Sequence, residues 1–74
     1  MIESLPIDNV RFSQAIYLRG SMDTNVKVGR YNCTITEEKG GVVIDIPADK
    51  QNNAQRFVTR IPYSKILQIE FKVS

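Results

Sequence analysis

Near the end of the chain, Leu67, Ile69, Phe71 and Val73 alternate with Gln68, Glu70 and Lys72. A strict period of two is the pattern of a strand with one buried face and one wet face. Such a strand cannot stand alone: its apolar face needs a second wall and its backbone needs neighbours. Arg56 to Pro62 leads into it through Pro62-Tyr63-Ser64-Lys65, which reads as a strand and a tight turn. The rest of the chain is therefore read for strands that build the opposite wall.

Val10 to Arg19 alternates as well. Val10, Phe12, Ile16 and Leu18 share one face, interrupted by Gln14, and Arg11, Ser13, Ala15, Tyr17 and Arg19 share the other. The β-branched and aromatic content favours strand over helix. Residues 20–25 form a loop by composition. Val26 to Thr36 follows as a long strand whose phase slips: Val26 and Val28 hold one phase, Tyr31, Cys33 and Ile35 the other. A bulge or sharp bend would absorb the slip, and Gly29 sits where it is easiest. Glu37-Glu38-Lys39-Gly40-Gly41 is the strongest hairpin signal, because glycine adopts positive φ without steric cost. Val42, Ile44 and Ile46 mark the return strand, which Pro47 ends for want of a backbone donor. Residues 47–55 are rich in amides and read as a polar, mobile loop. Residues 1–9 read as an irregular lead-in, with Leu5 and Ile7 over one open end of the core.

The expected fold is all-β: a small five-stranded antiparallel barrel or strongly curled meander, SH3-like, with strands at 10–19, 26–36, 42–46, 56–62 and 66–73. A one-turn 3₁₀ break is expected near residues 62–65. The inward residues of the last two strands are Phe57, Ile61, Leu67, Ile69 and Phe71. Ile61-Pro62-Tyr63-Ser64-Lys65-Ile66 resembles the segment entering the last strands of PRC-barrel proteins. The resemblance covers those residues alone and implies a fold type at most.

Seventy-four residues suit one small domain, 1–74. A chain this short buries only about 60% of its unfolded surface. Cys33 is the only cysteine and there is no histidine, so neither a disulfide nor a Cys/His metal site can staple the core. Small domains without staples often lean on self-association. Ten Lys/Arg against eight Asp/Glu give a net charge of +2, weaker than the excess typical of nucleic-acid binders. The first residues lack the basic and apolar regions of a signal peptide, and no apolar run approaches the ~20 residues of a membrane helix. With a lone thiol, a cytoplasmic location is expected. The lack of histidine and the many amides are similar to the composition of small phage-encoded proteins.

Catalytic chemistry has little to work with. Without histidine the usual general base is missing. Ser13, Thr59 and Ser64 have no activating partner visible in sequence, and Cys33, on the inward face, reads as an inert buried thiol. Glu37 and Glu38 sit side by side in a hairpin tip and point apart, so they cannot share a proton. Neither a calcium loop nor a phosphate loop is present. Arg56 and Arg60 match the two-arginine spacing of the PilZ dinucleotide-binding family, but that family completes its site with a later glycine, and no glycine follows Gly41. The chain is therefore read as a non-enzyme with no cofactor and no metal.

Three binding readings remain, in descending order. The first is protein–protein interaction or self-assembly into a homo-oligomer, through the last strand's edge at Ile66, Gln68, Glu70 and Lys72. The second is nucleic-acid binding by surface stripes of Arg11, Tyr17, Arg19, Arg56 and Arg60, where arginines hold phosphates and an aromatic stacks a base. The third is a small anionic ligand at the same arginines. Against the last two stands ordinary cross-strand pairing of these arginines with Asp45, Glu37 or Glu70. No membrane partner is expected.

Overall fold

Tight turns set the strand pairing. Arg19 and Gly20 both take positive φ (47° and 82°), and Leu18 pairs directly with Ser21. This two-residue turn has the primed geometry that matches strand twist. The loop expected at 20–25 is therefore a strand. The computed structural model describes residues 5–73, and the six strands are β1 (Ile7–Leu18), β2 (Ser21–Lys27), β3 (Thr34–Glu38), β4 (Gly41–Ile46), β5 (Phe57–Pro62) and β6 (Ile66–Phe71). The lead-in thus gives way to strand at Ile7, while residues 1–4 lie outside the described residues.

The strands form two antiparallel three-stranded sheets, ordered β2-β1-β6 and β3-β4-β5. The arrangement departs from the expected five-stranded barrel or curled meander on two counts. The long second strand is broken: the phase slip around Gly29 is absorbed by a one-turn helix, α1 (Val28–Tyr31), not by a bulge. Asn32 closes that turn in the left-handed conformation and donates its backbone N–H to Val28. The last strand pairs with β1 and not with β5. A 3₁₀ turn at Tyr63–Lys65 carries the chain from one sheet to the other, as the sequence predicts. Its Tyr63 N–H donates to the Gly40 carbonyl at 3.0 Å. Gly41, at the start of β4, lies so close to the Ile61 carbonyl and Pro62 Cα that a Cβ could not fit.

The inner faces of the two sheets meet in one core. Val10, Phe12, Leu18 and Val26 come from the first sheet, and Ile35, Val42, Ile44, Ile46 and Ile61 from the second. Tyr31 and Cys33 close the side between β2 and β3. Each fully buried side chain of this size contributes about 1.5–3 kcal/mol of hydrophobic stabilisation.

The stretch read as a mobile loop is internally braced. Ala54 and Asn52 donate backbone N–H groups to the Asp49 carbonyl at 2.7 and 3.3 Å, and the Asn52 side-chain amide donates to the Pro47 carbonyl at 3.1 Å.

The final strand departs most from its alternation. Arg11 pairs with Gln68 and Phe12 with Ile66, which leaves Leu67 as an extra residue in a bulge. A bulge flips the faces of everything beyond it. Ile66 and Ile69 are half-buried while Leu67 is 66% exposed. Beyond Ile69 the face runs off the core, so Phe71 is 40% and Val73 77% exposed. Phe57 has the expected inward phase on β5 and is also exposed.

Candidate interaction surface

The turn after β1 sends Arg19 inward, out of the surface stripe expected with Arg11 and Tyr17. Its side chain is 7% exposed. Nε donates to the Tyr31 carbonyl at 2.6 Å and Nη2 to the Asn32 carbonyl at 3.3 Å, while Nη1 meets Asp49 Oδ1 at 2.9 Å. The two carbonyls stand at the end of α1, where the helix itself offers no donor. A helix of one turn has no stability of its own, so Arg19 is a structural brace. Beside it, the Tyr31 hydroxyl donates to Asp23 Oδ2 at 2.7 Å, and the Asn25 N–H donates to Asp23 Oδ1 at 3.1 Å. These bonds hold the Asp23 carboxyl below the usual range, and the first pushes the Tyr31 phenol up. Burial pushes the Cys33 thiol up, which suits an inert core residue.

Arg56 and Arg60 lie outward on the second sheet, already occupied. Arg56 grips both Asp45 oxygens through Nε, at 2.9 Å, and Nη2, at 2.5 Å. That fork lowers the Asp45 carboxyl and raises Arg56. Arg60 Nη1 reaches Glu38 Oε2 at 3.1 Å. Glu37 instead accepts the Tyr63 hydroxyl at 2.6 Å, which pushes that phenol up. Arg11, between buried Val10 and Phe12, points away from the core on the first sheet, opposite Asn25 and Gln68. The arginines therefore do not converge: Arg11 and the Arg56/Arg60 pair face outward from different sheets, and Arg19 faces in. Tyr17 is exposed, opposite Met22.

The last strand presents a different surface. β6 ends the first sheet, with β1 on one side and no hydrogen-bonded strand on the other. The ladder to β1 extends past the strand, since Lys72 N–H donates to the Pro6 carbonyl at 2.8 Å. By alternation, the Phe71 backbone N–H and C=O point to the open side. Of the expected edge residues, Ile66 is half-buried, and Gln68, Glu70 and Lys72 are exposed. The exposed apolar side chains Leu67, Phe71 and Val73 lie along the same segment. Phe71 also lines an open groove of about 840 Å³, walled by Leu5, Ile7, Val28 and Ile35. Sequence alternation located this edge but not its apolar exposure, because the bulge at Leu67 carries no composition signal.

A smaller groove of about 420 Å³ runs between the β1–β2 turn and the uncovered face of β5, with Tyr17, Phe57 and Asn53 at its walls. Among the described residues no group of three or more Cys, Asp or Glu side chains is placed to hold a metal ion, and no helix is long and apolar enough to cross a membrane. No protein-family model, curated protein or solved structure matches the chain.

Proposed function

We propose that this chain is a non-catalytic binding module that acts through protein–protein interaction, and that it self-assembles through a sheet edge. One observation carries the reading: β6 has an unpaired outer edge flanked by exposed Leu67, Phe71 and Val73. Native proteins usually guard such edges or use them. We read the two sheets as halves of an SH3-like barrel, with α1 replacing the bend of the second strand and the 3₁₀ turn crossing between layers.

Nucleic-acid or small-anion binding at the arginines has weaker support. Arg19, Arg56 and Arg60 each hold a carboxylate, and a phosphate would have to displace it. Light scattering coupled to gel filtration, over a dilution series, tests the leading reading. Oligomers that dissociate on dilution are expected. A mass of 8.4 kDa at high micromolar concentration, with a salt-sensitive gel shift on nucleic acid, would favour the arginine reading instead.

A further inference from the structure

We propose that the partner at the β6 edge is a second copy of the chain, paired antiparallel about a two-fold axis through Phe71. This rests on the self-assembly reading and specifies its register. In an antiparallel pair about a two-fold axis, each residue faces the one equally far from the axis on the other copy. With Phe71 opposite itself, Glu70 faces Lys72 of the second copy and Lys72 faces its Glu70. Ile69 faces Val73 in the same way. Two opposite-charge pairs then form, and Phe71 and Val73 meet Phe71 and Ile69 of the second copy beside the groove that Phe71 and Lys72 line.

Neighbouring registers are poorer. An axis at Glu70 sets like carboxylates opposite each other, and an axis at Lys72 does the same for ammonium groups, both destabilising. An axis at Ile69 brings Phe71 opposite Leu67, where the bulge interrupts the strand. The backbone agrees with the Phe71 axis. Lys72 N–H is spent on Pro6, so the Phe71 N–H and C=O are free to exchange bonds with their counterparts. The contact is short beside the ~1,600 Å² of a standard stable interface, so the dimer dissociates on dilution.

Charge reversal tests the register. Glu70→Lys alone, or Lys72→Glu alone, creates two like-charge pairs and should weaken the dimer by about tenfold or more. That figure corresponds to roughly 0.7 kcal/mol per pair, within the range for cross-strand neighbours. The double variant Glu70→Lys/Lys72→Glu keeps the net charge and should restore dimerisation. Lys39→Glu, in the β3–β4 turn, changes net charge away from the edge and should leave the dimer intact. As an independent readout, Phe71→Cys in a Cys33→Ser background should give a disulfide-linked dimer under mild oxidation. Oligomers indifferent to both single reversals, or not restored by the exchange, overturn this register while leaving self-assembly standing. An unmutated protein that stays monomeric at high micromolar concentration overturns both.

Discussion

The two sheets have the same number of strands and opposite regularity. In the second sheet, β4 pairs with β3 and with β5 without one slip, from Thr34↔Asp45 to Glu38↔Gly41 and from Gly41↔Pro62 to Ile46↔Phe57. In the first, β1 slips against both neighbours: between Arg11 and Ile16 on the β2 side, and at two places on the β6 side. The difference follows from length. β3, β4 and β5 have 5, 6 and 6 residues, short enough to twist without bending. β1 has 12 and must curve around the core, so its ladders break where curvature outruns the pleat. The regular sheet supplies the rigid wall. The irregular one ends in an edge that is partly apolar and open.

The sharpest way to break this comparison is to remove one apolar side chain from each sheet. Ile44 is 0% exposed at the centre of β4, and Ile44→Ala should cost about 3–5 kcal/mol, close to the whole stability of a domain this small. Phe71→Ala, on the open edge, should cost about 1–2 kcal/mol because much of the ring is already wet. Denaturant melts of both variants check the contrast. Equal losses would mean that the β6 face is as well covered as the β4 face.

Arg19 joins the irregular sheet to α1 and to the 47–55 segment. Arg19→Ala removes one partner of a largely buried ion pair and strips donors from two carbonyls. About 2–3 kcal/mol of destabilisation is expected, below the 3–5 of a fully buried pair because the Asp49 side chain is 29% exposed. Arg19→Lys should recover little, since an ammonium cannot span carboxylate and carbonyls as the planar fork does. Thermal or urea melts measure both.

The smallest effects are pH-dependent. Asp23 and Asp45 have folded-state pKa values held below the unfolded one. Their contribution is complete above the ordinary carboxylate range near ~4 and is lost as pH falls through the folded values. Tyr31 runs the other way. Its pKa is raised, so its contribution is present below ~10 and lost as pH rises through the folded value. Asp45→Asn should flatten the acid limb of a stability–pH profile, and Tyr31→Phe the alkaline limb. A profile unchanged by both would show that these hydrogen bonds do not persist in solution.

What could be read in sequence follows the same division. Ile35, Val42, Ile44, Ile46 and Ile61 are buried as their alternation predicts, because unbroken register preserves parity. Leu67 and Phe71 carry equally clean alternation and are exposed, because the bulge and the run past the core act after the pattern is written. The edge residues Gln68, Glu70 and Lys72 were legible as a strand's wet face. The inward turn of Arg19 was not, since it depends on a positive φ in a non-glycine residue and on Asp49, 30 positions away. Asp45, one of the three carboxylates expected to pair with the arginines, holds Arg56, while Arg60 pairs with Glu38, which was not among them.

The Arg19 contacts also bear on time. They join residues separated by 12, 13 and 30 positions, so they can close only after the β1–β2 turn, α1 and the 47–55 segment have all arrived. Interactions formed after the transition state act on escape from the native state and leave the folding rate alone. A guanidinium that ties three separate segments is expected to act as a latch: Arg19→Ala should speed unfolding more than it slows folding, which the two arms of a chevron plot measure.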